Sequence, residues 1–217
     1  MHRCARVLLA GLLPAMLLLS ACSSSKPAAQ SSPSTTPPAD RPTPWPAPAA
    51  PMARARAAGL VPETAESLEY HVHAHLDVFV NGTQITVPAG IGIDTRNPAV
   101  HTFTIAGARA YGGIAVPCDQ PCISPLHTHD VSGVLHTESV TQKDNTLGQF
   151  FTEWNVRLDG DCVATYCRPA TPIGIFVGGT RYTGDPRSIA LGNLKEIAIV
   201  IGTPPAQIPS TFDQGLI

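Results

Sequence analysis

The sequence predicts an α+β domain, a small mixed sheet with one helix packed across it. Three observations carry that expectation. Val72, Ala74, Leu76, Val78 and Val80 alternate with His71, His73, His75, Asp77 and Phe79, the period of two that gives a strand one apolar face and one histidine face. Leu147, Phe150, Phe151 and Trp154 fall at i, i+3, i+4 and i+7, a helical stripe whose aromatic side chains belong in a core. Glu196 to Ile201 reads Glu-Ile-Ala-Ile-Val-Ile, a short apolar run suited to a buried strand.

The remaining elements follow in chain order. Asn81-Gly82 supplies the positive backbone angles of a tight hairpin turn, and Thr83 to Val87 returns from it. Further strands are expected at His101 to Ile105 and Gly133 to Glu138. Asn145-Thr146 precedes the helix as its cap. Phe176-Val-Gly-Gly-Thr-Arg-Tyr-Thr183 matches Phe79-Val-Asn-Gly-Thr-Gln-Ile-Thr86 at five of eight positions. We read these as two hairpins built by the same rules rather than as a repeat.

This order of hairpin, strand, helix, strand, strand resembles the β-grasp layout. Thr146 to Ile201 in particular is similar to the later part of ubiquitin-like sulfur-carrier domains, with a helix, a strand with a glycine turn and a final apolar strand. That resemblance implies a helix laid across a mixed sheet. The family's double-glycine carboxyl terminus is missing, so its chemistry does not carry over. The alternative architecture is a β-sandwich of the cupredoxin type.

Residues 1–21 have a basic start, an apolar run from Val7 to Leu19 and then small residues, the pattern of a signal peptide and too short to span a membrane. Leu19-Ser20-Ala21-Cys22 resembles the lipobox of bacterial lipoproteins. The resemblance implies cleavage before Cys22, diacylglycerol on its sulfur and acylation of the new amino terminus, palmitate being one such chain. Two or more acyl chains anchor a protein stably. The protein is therefore expected outside the cytoplasm, held to the cell membrane. Residues 22–58, rich in Pro, Ala and Ser, read as a disordered spacer, and residues 59–217 as one domain.

That domain carries 15 acidic against 8 basic side chains, a net charge of −7. Such a balance argues against nucleic acid as a partner, because binding there relies on neutralising phosphates. Any protein partner is left open. Cys118 and Cys122, and Cys162 and Cys167, form two close pairs, which outside the cytoplasm read as local disulfides.

Seven of the eight histidines lie between residues 71 and 136. Two rings on alternate strand residues share a face, and imidazole is the commonest metal-binding side chain. His73 and His75 form the first expected pair of ligands, with His71 as a third and Asp77 beside them. His127 and His129 form the second pair, with His136 on the strand that follows. Glu138 shares the face of His136, and Asp130 is placed to fix a ring tautomer. His101 stands apart as a structural histidine. If the two clusters sit on paired strands, they meet at one end of the sheet.

His71-x-His73-x-His75 together with Pro125-Leu-His127-Thr-His129-Asp130-x-Ser132-Gly133-Val134-x-His136-x-Glu138 resembles a group of secreted, histidine-rich prokaryotic proteins. No activity is established for that group, so the resemblance implies a family and no function.

With the thiols oxidised, imidazole and carboxylate remain, a donor set suited to copper(II) or zinc. Several enzyme patterns are excluded. His73-Ala-His75-Leu-Asp77 begins a metallo-β-lactamase signature, but Val78 replaces its final histidine. The cupin spacing fails because Gly133 and Val134 stand where a glutamate is needed. Blue copper needs a ligating cysteine and an axial methionine. No nucleophile elbow or phosphate-cradling loop is present. The expected function is capture, buffering or delivery of copper or zinc. One alternative is a metal-dependent hydrolase or oxidoreductase with Glu138 or Asp130 as base. The other is a metal-free module whose histidines respond to pH or bind a partner.

Overall fold

The structure is a computed structural model that describes residues 44–217. The expected signal peptide, Cys22 and the spacer up to residue 43 lie outside the described residues.

In chain order the elements are α1 (Pro51–Ala57), β1 (Tyr70–Val80), β2 (Thr83–Ile85), β3 (His101–Ile105), β4 (Ala108–Gly112), β5 (Leu126–His127) and β6 (Val134–Ser139). Then come α2 (Leu147–Trp154), β7 (Cys162–Val163), β8 (Tyr166–Cys167), β9 (Ile173–Val177), β10 (Thr180–Tyr182) and β11 (Lys195–Ile201). The main sheet runs β10-β9-β11-β1-β6-β5, with β2 also pairing with β1. Only β1 and β11 are parallel; the other pairs in this sheet are antiparallel. The sheet is thus mixed, with hairpins β1–β2 and β9–β10 flanking the parallel pair. Both hairpins turn through positive backbone angles, at Asn81-Gly82 and Gly178-Gly179.

Alternation on β1 decides what each face does. Ala74, Leu76 and Val78 join Leu135 of β6, Ile173 and Ile175 of β9 and Ile197, Ile199 and Ile201 of β11 in one core. Helix α2 covers it with Leu147, Phe150, Phe151 and Trp154, all essentially inaccessible. Each such side chain contributes roughly 1.5–3 kcal/mol of hydrophobic stabilisation. A reciprocal box closes the start of α2. Gln149 N–H donates to Thr146 Oγ1 and Thr146 N–H donates to Gln149 Oε1. A helix rather than a second sheet therefore covers the core, and the sandwich alternative is not what forms.

The folded body begins earlier than the spacer composition suggested. Residues 44–58, read from sequence as spacer, include α1, whose Ala55 is fully buried in the core. Trp45 packs edge-on against Trp154 at 5.8 Å, and the Trp154 indole N–H donates to the Trp45 carbonyl at 2.9 Å. Proline-rich composition disfavours regular structure, but it does not prevent one aromatic ring and a short helix from capping an apolar surface.

The cysteines pair locally, Cys118–Cys122 and Cys162–Cys167. The first bridge sits in a small satellite core with Ile93, Val100, Ile114 and Ile123, just before β5. These bonds fit an oxidising compartment outside the cytoplasm. Among the described residues no helix is long and apolar enough to cross a membrane.

Candidate metal centre

The opposite face of β1 presents His71, His73, His75 and Asp77. Antiparallel pairing sets His73 opposite His136 and His71 opposite Glu138, while β5 sets His127 opposite His136 on the other side. The two histidine clusters thus meet across three strands, and the register brings them there.

Four imidazoles surround one carboxylate oxygen. Glu138 Oε1 lies 3.2 Å from His71 Nε2, 3.4 Å from His136 Nδ1, and 3.7 Å from both His127 Nε2 and His129 Nε2. His127 Nε2 and His129 Nε2 stand 3.3 Å apart. One donor atom each from His127, His129, His136 and Glu138 can be chosen so that all lie within 4.8 Å of one another. Ligands about 2.0–2.1 Å from a tetrahedral ion stand about 3.3–3.4 Å apart. The separations of 3.3–3.7 Å approach that spacing, so the group could hold an ion.

The tautomers point the same way. His127 Nδ1–H donates to the Ser124 carbonyl at 2.9 Å, and His129 Nδ1–H donates to the Tyr111 carbonyl at 2.6 Å. A carbonyl only accepts, so each Nδ1 carries a proton, and the two Nε2 atoms face each other and Glu138. His136 Nδ1 is buried and makes no hydrogen bond among the described residues. Three ring nitrogens and a carboxylate oxygen that converge in this way need a proton or a cation between them.

Electrostatics agree. Burial alone would raise the Glu138 carboxyl, but His127, His129 and His136 facing it hold it well below the usual carboxylate range. Burial, with the neighbouring rings of His127, His129 and His73, pushes His136 down to about 3 against the pull of Glu138, leaving that ring neutral. Burial lowers His73 too, with His71 adding to the effect. His129 moves upward: burial opposes this, but Glu138 and the Tyr111 carbonyl prevail.

Loop backbone sets the second pair of rings. Thr128, wholly buried between the two histidines, donates from Oγ1 to the Pro88 carbonyl and accepts from Ile91 N–H. Its backbone pairs with Gly90 and Ile91. Tyr111 N–H donates to the His129 carbonyl at 3.0 Å while its own carbonyl holds the ring. Gly112 is required beside it. Its φ is +143°, and a Cβ there would meet His129 Nδ1 at 2.6 Å.

Several expected residues sit elsewhere. The primary pair His73 and His75 does not share a centre. Same-face strand residues stand about 7 Å apart, and β11 supplies His75 with its own partners. His75 Nδ1 lies 2.9 Å from Glu196 Oε2 and 3.7 Å from Asp77 Oδ2, while Nε2–H donates to the Ser132 carbonyl at 3.0 Å. Asp77 accepts from the Gln84 amide. Burial disfavours the charged ring, but Glu196 and Asp77 raise His75 overall. His75, Asp77 and Glu196 thus form a separate buried donor group, one atom each within 4.8 Å of one another, in which Glu196 Oε1 has no hydrogen-bond partner among the described residues. Asp130 fixes no ring; its carboxylate accepts from Ser132 N–H at 2.8 Å, and backbone carbonyls set the tautomers instead. His101 is exposed on β3, outside the centre. Ser124, Thr128, Tyr111 and Gly112 were not legible as site residues. Only the position of Thr128 between two histidines hinted at a role.

No family model matches the chain, and no curated protein or solved structure matches it. The chemistry of the centre therefore rests on its geometry.

Proposed function

We propose that this chain is an exported, lipid-anchored protein that holds a transition-metal ion, copper or zinc, through His127, His129, His136 and Glu138. Its work is capture, buffering or delivery of that ion outside the cytoplasm. The observation that carries the reading is the convergence of three ring nitrogens on one buried carboxylate. The four half-cystines are spent in disulfides, so the donors are nitrogen and oxygen, a set that suits zinc and copper(II) rather than copper(I). Four protein ligands leave no coordination position open, the arrangement of a holding site rather than a catalytic one. The lipobox at Leu19-Ser20-Ala21-Cys22 supports the anchor.

The test is elemental mass spectrometry on the full-length chain, purified in mild detergent without a polyhistidine tag. We expect at least one equivalent of zinc or copper after metal loading and desalting, lost in His127→Ala combined with His136→Ala. A wild-type protein that retains no metal after exposure to micromolar zinc and copper contradicts the reading.

A further inference from the structure

His136 belongs to two sets of donors. Besides the inner centre, one donor atom each from His71, His73 and His136 can be chosen within 4.8 Å of one another. The His73 ring stands edge-on to both others, 4.4 Å from His71 and 4.5 Å from His136. The strands produce this group directly: His73 is opposite His136, and His71 lies two residues along the same face. Three imidazoles at such distances gain little from each other as a polar surface, where threonine, lysine or glutamate would be better solvated. The His73 ring makes no hydrogen bond among the described residues, so its nitrogens are unspent. The His71 side chain is 34% exposed, whereas Glu138 and His127 are 4% and 0% exposed. His129 of the inner group is 19% exposed, so the outer group is the more open of the two through His71.

We infer that His71, His73 and His136 form a second, outer metal position that shares His136 with the inner centre. The inference rests on the reading above. An imidazole has two ring nitrogens. Nδ1 of His136 is buried toward Glu138, and the remaining nitrogen serves the outer ion. When that ion binds, a metal–nitrogen bond replaces the ring's remaining N–H bond, and the proton passes to buffer. No electron moves. The imidazolate and Glu138 offset the charge of the two neighbouring cations. His71 Nε2 also lies 3.2 Å from Glu138 Oε1, so both positions adjoin one carboxylate; the outer ion, held beside the more exposed His71 ring, binds more weakly and exchanges faster than the inner one.

The full-length chain in mild detergent, without a polyhistidine tag, is titrated with copper(II) and separately with zinc(II). Bound metal is measured at each step for the wild type, for His73→Ala and for His127→Ala. Wild type should take up two equivalents, the second more weakly, and His73→Ala should stop at one. The copper paramagnetic signal should fall below two spins as the second ion binds, because an imidazolate bridge couples the pair. A wild-type plateau at one equivalent overturns the outer position and leaves the inner one standing. A second equivalent that persists in His73→Ala is adventitious surface binding and also overturns it. Loss of both equivalents in His73→Ala, with an unchanged circular dichroism spectrum, places His73 in the inner shell instead. No bound metal in the wild type defeats this inference together with the function it rests on.

Discussion

Glu138 is charged because the rings around it are arranged to need it, and those rings are arranged by backbone atoms. The Ser124 and Tyr111 carbonyls each hold one Nδ1–H and so aim one Nε2 inward. Groups that orient ligands in this way commonly change metal affinity about 10–100-fold when disturbed. Gly112 offers a test without touching a ligand. In Gly112→Ala the new methyl would meet His129 Nδ1 at 2.6 Å, so metal affinity should drop by about tenfold or more. Gly107→Ala on the same β3–β4 ribbon also stands at a positive φ, +83°, but a Cβ there meets nothing within 4 Å, so affinity should be unchanged. Competition with a chromogenic chelator measures both, and equal affinities in the two variants would remove Tyr111 and Gly112 from the account. At this scale the sequence was only partly legible. The clustered histidines and Glu138 stood out by residue type and spacing. Their backbone supports did not, because any residue brings a carbonyl.

Among the elements, α2 contains the least expected residue. Glu153 lies on the helix, is fully buried, and neither carboxylate oxygen has a hydrogen-bond partner among the described residues. Burial pushes its carboxyl up to about 8. The folded state therefore keeps a proton that the unfolded chain releases near pH 4.5. The cost is absent below that value, grows as pH rises, and levels off above about pH 8. At neutral pH it amounts to roughly 3 kcal/mol. Glu153→Gln removes the titration, so its melting temperature relative to wild type should climb steadily from pH 5 to pH 8, measured with chelator present. Parallel curves for the two proteins across that range would mean that Glu153 ionises freely. The helix itself was legible from its aromatic stripe and cap, as were both hairpins and the final strand. Helix α1 was not, because its sequence, Pro-Met-Ala-Arg-Ala-Arg-Ala, has almost no apolar periodicity; it gains its place by burying Ala55 in the core and by Arg54 Nε donating to the Thr152 carbonyl of α2 at 2.9 Å.

For the whole molecule, the centre ties together segments distant in sequence: β1, the β4 edge, the loop through Thr128, and β6. An ion that binds only when these are assembled stabilises the native state by mass action. Free zinc at about 100 times its dissociation constant should add about 2.7 kcal/mol, seen as a rise in melting temperature of several degrees that chelator reverses and His127→Ala abolishes. An unshifted melting curve would mean that the ion, if bound, binds equally to the unfolded chain. The meeting of the two histidine clusters was foreseen only as a consequence of a pairing that sequence alone did not establish. Register settles it, since a slip of one residue between β1 and β6 would send His136 to the core face.

The most direct measurement is X-ray absorption at the metal edge of the full-length chain loaded with one equivalent of zinc. The expected spectrum has a shell of nitrogen and oxygen scatterers at about 2.0–2.1 Å with imidazole outer-shell features and no sulfur near 2.3 Å. A sulfur shell, or a shell of water oxygens without imidazole features, would contradict it.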